Sequence, residues 1–409
     1  MVPVKFSYFA PYYKQKTGRV IMKNVIILFP VFSLIFGANA VGASVNYNVF
    51  AGMPEYLIDT AHAWAGIYSE FGPSADIASY INQIQSSDVE RYLNTISILG
   101  FNSTAMALFE MTHHVSQAFG ILETPITARR DTCSANFINC NMGNKKIVLD
   151  GRVFGAFADY DSDYNGNFNT RSTGFSVGAH GYATNGLMLG VEYTRTMTDT
   201  HDNRVYTDAT GNSISAFVKY MARSGFFVNV GANIGDTGWT SDKNIAGIPD
   251  NSVYDTNFYA GQMNTGIRMM RGRIAVTPMV SVRYIRFFAD KYLDATAQAF
   301  DDWWYNTLTT SGGVDFSFDF TGNDFIVRPT FSLGGGYDVI SNGTDNIHVQ
   351  LINNQFYDIP VDAPRRAMFY GGLNIELINN YFNAALDYKL NIRSGYTAHT
   401  IMANIKIAF

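Results

Sequence analysis

The sequence predicts an all-β transmembrane barrel of about twelve antiparallel strands, preceded by a helical region with a pore-threading linker helix. Three observations carry this reading. From about Lys146 onward, apolar side chains recur at every second position, the period at which a strand turns one face to a membrane. The joins between these stretches alternate long and short. The final stretch puts Ile401, Ala403, Ile405, Ile407 and Phe409 on one face and Met402, Asn404, Lys406 and Ala408 on the other.

Composition narrows the function classes. Of the 409 residues, 47% are hydrophobic and 15% aromatic, and the formal net charge is -5. A mildly acidic chain with few basic clusters offers no electrostatic footprint for nucleic acid. Mean hydropathy near zero argues against a bundle of membrane-spanning helices. It suits a barrel, in which polar lumen residues dilute the lipid-facing ones.

Residues 1–40 read as a signal region. A short basic start, Met22-Lys23, precedes an apolar run from Val25 to Phe36, and Ala38-Asn39-Ala40 fits a signal-peptidase site with cleavage after Ala40. The run is too short to span a bilayer comfortably as a helix. Met1 and Met22 both remain open as the start.

Residues 41–103 form a short helical passenger or periplasmic region, with helix candidates at Ala61 to Tyr68 and Ala75 to Tyr92. Residues 104–145 hold the linker helix and a Cys-containing connection. In Thr104 to Leu122, Met106, Phe109, Val115, Phe119 and Leu122 recur at helical intervals, with Thr112, His113 and Gln117 between them. Such a helix runs about 30 Å, roughly one bilayer core. Cys133 and Cys140 are the only cysteines, and downstream of an export signal they are expected to form a disulfide. Two thiols without a nearby His do not make a metal site.

Residues 146–409 are the barrel. Its first strand is expected near Ile147 to Tyr160. Long joins then follow at Asp161 to Arg171, Thr198 to Asn212, Asp236 to Tyr254, Asp290 to Asp302 and Ser341 to Arg365. Tight joins fall between them at Thr184-Asn185-Gly186, Ala222 to Gly225, Arg271-Gly272, Thr321 to Asp324 and Asn379-Asn380. The join at Ser394-Gly395 lies on the long side but is short. A soluble sandwich has no reason to keep its long loops at one end, whereas membrane barrels do. Glu192, Lys219, Arg268, Arg283, Arg328, Asp387 and Lys389 fall on the inner face. A dry core would not accept them cheaply, so a wet lumen is expected, with these charges pairing with one another and with the linker helix. Trp303, Trp304, Tyr305 and Tyr388 are expected as girdle anchors at the membrane interface.

Other chemistry is weak. Gly174-Phe175-Ser176-Val177-Gly178 matches G-x-S-x-G, but the pattern needs a strand-to-helix elbow and here it continues a strand. His113 and His114 are adjacent, so they diverge by about 100° on a helix and do not share an ion easily. Asp161, Asp163, Asp301 and Asp302, with His201 on a neighbouring loop, leave a loop-borne hydrolase as a third reading. No catalytic residue, metal or cofactor is expected.

The blocks LNTISILGFNSTAMALFEMTHHVSQAF and FGAFADYDSDYNGNFNTRSTGFSVGAHGYATNGLMLGVEYT resemble the linker helix and first strands of the translocator domain of monomeric autotransporters of type V secretion, the autotransporter β-domain family. IAVTPMVSVRYIRFFADKY, FIVRPTFSLGGGYDV and the terminal Phe409 extend the resemblance. It implies a twelve-stranded outer-membrane barrel with a helix in its lumen, delivering an upstream passenger to the surface of a Gram-negative cell. Ile405, Ile407 and Phe409 would then be the assembly signal read by the barrel-assembly machinery, with periplasmic chaperones as earlier partners. Two departures stand out. The passenger is very short and helical, and the linker lacks the Asn-Asn pair at which some members cleave themselves, so an uncleaved chain is expected. The alternative is a plain outer-membrane protein or adhesin that contacts a host or surface ligand through its outer loops.

Overall fold

A computed structural model describes residues 112–119, 147–161, 167–184, 186–201, 205–245, 248–293, 299–322, 325–344, 346–350, 356–360, 365–379 and 382–409. Helix α1 covers residues 112–118. The expected signal region, the region 41–103, the rest of the linker helix and the Cys133–Cys140 connection lie outside the described residues.

The strands are β1 (Ile147–Asp161), β2 (Asn167–Thr184), β3 (Leu187–His201), β4 (Val205–Met221), β5 (Phe226–Ile245) and β6 (Ile248–Ile267). They continue as β7 (Met269–Arg271), β8 (Ile274–Ala289), β9 (Tyr292–Leu293), β10 (Ala299–Phe300), β11 (Trp303–Phe318) and β12 (Phe320–Thr321). The last are β13 (Ile326–Gly343), β14 (Asn346–Gln350), β15 (Phe356–Pro360), β16 (Ala367–Ile378), β17 (Phe382–Arg393) and β18 (Tyr396–Ala408). Because β7 carries on the line of β6 and β12 that of β11, the main sheet is a closed antiparallel barrel of 12 strands. Closure is made by β1 on β18, from Val148 opposite Ala408 to Tyr160 opposite Tyr396. Among the described residues no helix is long and apolar enough to cross a membrane. The crossing is made by strands, whose closed ladder leaves no backbone polar group facing lipid unpaired.

Alternation sorts the side chains. Val153, Ile214, Ile234, Val280, Leu333, Phe369 and Ile405 stand on the outer surface. Inward, the wall of β2 and β3 is a ladder of hydroxyls. Ser172 meets Thr198 at 2.8 Å, Ser176 meets Thr194 at 2.9 Å and Thr170 meets Thr200 at 2.8 Å. Aromatics that point inward lie over glycines of the next strand. A Cβ on Gly174 would come within 2.4 Å of the Phe154 ring, and one on Gly334 within 2.2 Å of Tyr370. Those positions need glycine because the ring occupies the place of a side chain.

The long joins differ from expectation. Most of Asp236 to Tyr254 is paired strand, with β5 and β6 running in register out to Ile245 opposite Ile248. Thr198 to Asn212 is likewise mostly ladder, with His201 opposite Tyr206. The apolar alternation stops where the strands leave the bilayer, so the sequence reads as loop. Backbone pairing continues there with mostly polar residues, Trp239 and Tyr254 being the inward exceptions. A strand needs only about 9–11 residues to cross a bilayer, and β5 and β6 each have 20.

The long joins before β11 and after β13 contain a second sheet, in the order β15-β14-β10-β9. It packs on the barrel lining through rings. Trp239 stacks on Tyr254 at 5.7 Å, Tyr254 on Tyr292 at 4.6 Å, and Tyr292 on Phe300 at 4.5 Å. Here a second expectation fails. Trp303 and Tyr305 do not face lipid but are buried inside, against Phe287 at 5.3 and 5.9 Å. They lie on the same inward face of β11 as Thr309 and Ser317. Trp304 and Tyr388 do face outward, partly exposed.

Candidate functional site: the lumen and its helix

Helix α1 sits inside the barrel against the wall of β3 and β4. Val115, Ala118 and Phe119 are fully buried, as is His114. The His114 ring bridges two strands: Nδ1 is 2.6 Å from Thr196 Oγ1 and Nε2 is 2.7 Å from Ser213 Oγ. Phe258 meets the same ring edge-on at 5.4 Å. Further down the helix, the Ser215 hydroxyl donates to the carbonyl of Ala118 at 3.4 Å. The seat depends on a glycine. A Cβ on Gly211 would fall 2.8 Å from His114 Nδ1 and 2.7 Å from Thr196 Oγ1.

These contacts fix the polarity of α1. Strand β4 runs from the long-join end toward the tight turn at Ala222 to Gly225, so Ser215 is nearer that turn than Ser213. His114 meets Ser213 and Ala118 meets Ser215. The N-terminal end of α1 therefore faces the long-join end. Strand β1, next but one to β3 in the sheet, agrees, since His113 meets Phe154 edge-on at 6.4 Å, well up β1 from its start.

Between α1 and the wall of β8 to β18 lies a cavity of about 320 Å³, lined by His113 and Gln117 on the helix side. Arg268, Arg283, Arg328, Asp387 and Lys389 line its other side. Glu192 and Lys219 are buried on the inner face of β3 and β4. All seven charges expected in the lumen are thus on the inner face.

Four of them pair with other wall residues. Glu192 pairs with Arg152. The Arg328 guanidinium donates to both carboxylate oxygens of Asp319, at 2.6 and 3.0 Å, and lies 3.6 Å from Glu376. Asp387 accepts from Asn374 and, at 2.9 Å, from Asn404. Arg283 donates to Gln262 at 2.7 Å. Arg393 and Asp338, absent from the expected set, form a 2.5 Å pair at the other end of the cavity. These pairs stitch strand to strand, whereas hydroxyls of β3 and β4 seat the helix. Charge alternation found the lumen positions. It could not find His114, whose partners are 82 and 99 residues away.

The competing chemistry has a plain fate. Ser176 is in mid-strand, bonded to Thr194, with no elbow. Asp301 and Asp302 flank Lys291 at 2.7 and 3.3 Å. The His201 ring lies tilted against Tyr206, with ring centres 4.6 Å apart. The side chains of Asp161 and Asp163 lie outside the described residues. Ile405, Ile407 and Phe409 all face outward, Phe409 at 63% exposure.

A closed twelve-stranded barrel with an apolar outside, a charged inside and a helix seated in the lumen defines a membrane-embedded translocator-type barrel. The family model described as Autotransporter beta-domain matches residues 150–389. The chain belongs to the autotransporter β-domain family, and its barrel is an outer-membrane translocator barrel of the Gram-negative type.

Solved structures show the same fold. The translocator domain of autotransporter NalP from Neisseria meningitidis is 12% identical with a TM-score of 0.58, covering 75% of this chain and 98% of its own. The transport unit of the autotransporter AIDA-I from Escherichia coli is 12% identical with a TM-score of 0.52, over 72% of this chain and 98% of its own. The beta domain of the Bordetella autotransporter BrkA is 12% identical with a TM-score of 0.51, over 64% and 100%. No curated protein matches the chain.

Proposed function

We propose that this barrel carries the chain upstream of α1 outward through its lumen and displays it, uncleaved, at the cell surface. The observation that carries the reading is the polarity of α1. With its N-terminal end toward the long-join end, the preceding residues lead toward the side that family members turn outward. Translocation then needs no catalytic residue, metal or cofactor. The barrel supplies a polar bore, and α1 closes it afterwards. The outward stripe Ile405, Ile407 and Phe409 serves as the segment recognised by the barrel-assembly machinery, after periplasmic chaperones have delivered the chain. Cys133 and Cys140 are proposed to form a disulfide in that oxidising compartment.

The test is an epitope tag near Asn82 in intact cells. Antibody binding, with loss of the tag to added protease, is the expected result. A tag that appears only after the outer membrane is opened overturns display and leaves a barrel with a periplasmic helical region. Mass spectrometry separately tests cleavage: a mature barrel lacking everything before Cys133 contradicts the uncleaved chain.

A further inference from the structure

Arg286 is a half-buried arginine on the lipid-facing side of β8. It faces outward because its neighbours Ile285 and Phe287 are buried inside. It stands three residues from the long-join end of its strand, the end that the proposed function turns outward. Its guanidinium carbon lies 4.9 Å from the Phe288 ring centre and 5.1 Å from that of Trp304. Among the described residues no carboxylate pairs with it, and its Nε is buried without an acceptor.

The surroundings are built rather than incidental. In the ladder, Arg286 is flanked by Tyr259 on β6 and Asn306 on β11. The Tyr284 hydroxyl donates to Asn306 at 3.4 Å, and the Tyr259 ring lies 5.9 Å from Phe288 and 6.3 Å from Tyr284. Below the box the same surface turns apolar, with Val280 56% exposed. A fixed cation framed by aromatic rings above an apolar slope has the form of a headgroup site over acyl chains. An unpaired guanidinium at the edge of hydrocarbon is costly. A phosphate accepts its planar donor fork in a bidentate manner and neutralises it.

We propose that the Arg286 box binds the phosphate of a phosphorylated glycolipid headgroup in the outer leaflet. Inorganic phosphate shares the chemistry but lacks the chains that the slope below would hold. The site lies outside the lumen and does not depend on passenger display.

The full chain, purified in neutral detergent, is titrated with bis-phosphorylated lipid A, with lipid A stripped of its phosphates, and with inorganic phosphate. Bound molecules are counted by native mass spectrometry. Phosphorylated lipid A is expected to bind about tenfold tighter to the wild type than to Arg286→Gln, the worth of one charged hydrogen-bonding contact. Lipid A without phosphates should bind both proteins at the weaker level. Equal affinity of both proteins for phosphorylated lipid A, or indifference of the wild type to the phosphates, overturns the proposal. Inorganic phosphate binding as tightly as the lipid overturns the lipid assignment. If Arg286→Gln fails to insert, Trp304→Leu keeps the charge and removes one ring of the box. Its affinity for phosphorylated lipid A should fall in the same direction, and an unchanged value counts against the site.

Discussion

His114 holds the lumen helix by giving each ring nitrogen a hydroxyl on a different strand. Removing the ring's polarity leaves two buried hydroxyls unsatisfied, at about 1–3 kcal/mol. His114→Leu should therefore let the helix leave its seat more often. In planar bilayers this would be read as more frequent openings and larger mean conductance. Gly211→Ala should act in the same direction, because its methyl would occupy the place of the His114 ring. Unchanged conductance in both variants contradicts the seat. At this scale the sequence was only half legible. The spacing of Val115 and Phe119 exposed a helix with an apolar stripe, and the adjacent histidines were visible. Which of the two turns to the wall depends on Thr196 and Ser213, and no local pattern encodes a contact across that distance.

Among the elements, the ion pairs join wall to wall. Arg328 ties the end of β11 to β13 and β16 through Asp319 and Glu376, and it is 1% exposed. Breaking a buried pair by removing one partner costs about 3–5 kcal/mol, because the carboxylate left behind is uncompensated. Arg328→Ala should thus lower the temperature at which the folded barrel loses its compact migration on gels. Arg283, bonded to Gln262 beside the cavity, should behave differently. Arg283→Ala is expected to shift ion selectivity toward cations with a smaller change in melting. Equal melting of Arg328→Ala and the wild type would show that the pair does not hold the wall. Strand positions and faces were legible because the lipid enforces alternation. The extensions of β5 and β6 were not, because mostly polar residues there break the apolar period while pairing persists. The inward turn of Trp303 and Tyr305 was hidden for a related reason. Aromatics suit both an interface belt and a buried stack, and the ring they pack against, Phe287, lies on β8 across a long join.

At the scale of the whole molecule, a closed ladder satisfies the backbone, an apolar exterior meets the lipid, and a helix of fixed polarity fills one side of a charged bore. The family was legible from the order and spacing of its blocks, and the model match over residues 150–389 agrees with that reading. The direction of the chain through the pore was not, since it rests on three long-range contacts between α1 and the wall. That polarity is the central claim. It is tested most directly by crosslinking in native outer membranes, in a chain whose Cys133 and Cys140 are replaced by Ser. One variant carries His114→Cys with Ser213→Cys, a second Ala118→Cys with Ser215→Cys, and two more exchange the partners. Efficient bridging of the first two by a short thiol crosslinker, with weak bridging of the exchanged pairs, is the predicted result. Preferential bridging of the exchanged pairs would mean that the helix runs the other way, and the outward path of the upstream chain would fall with it.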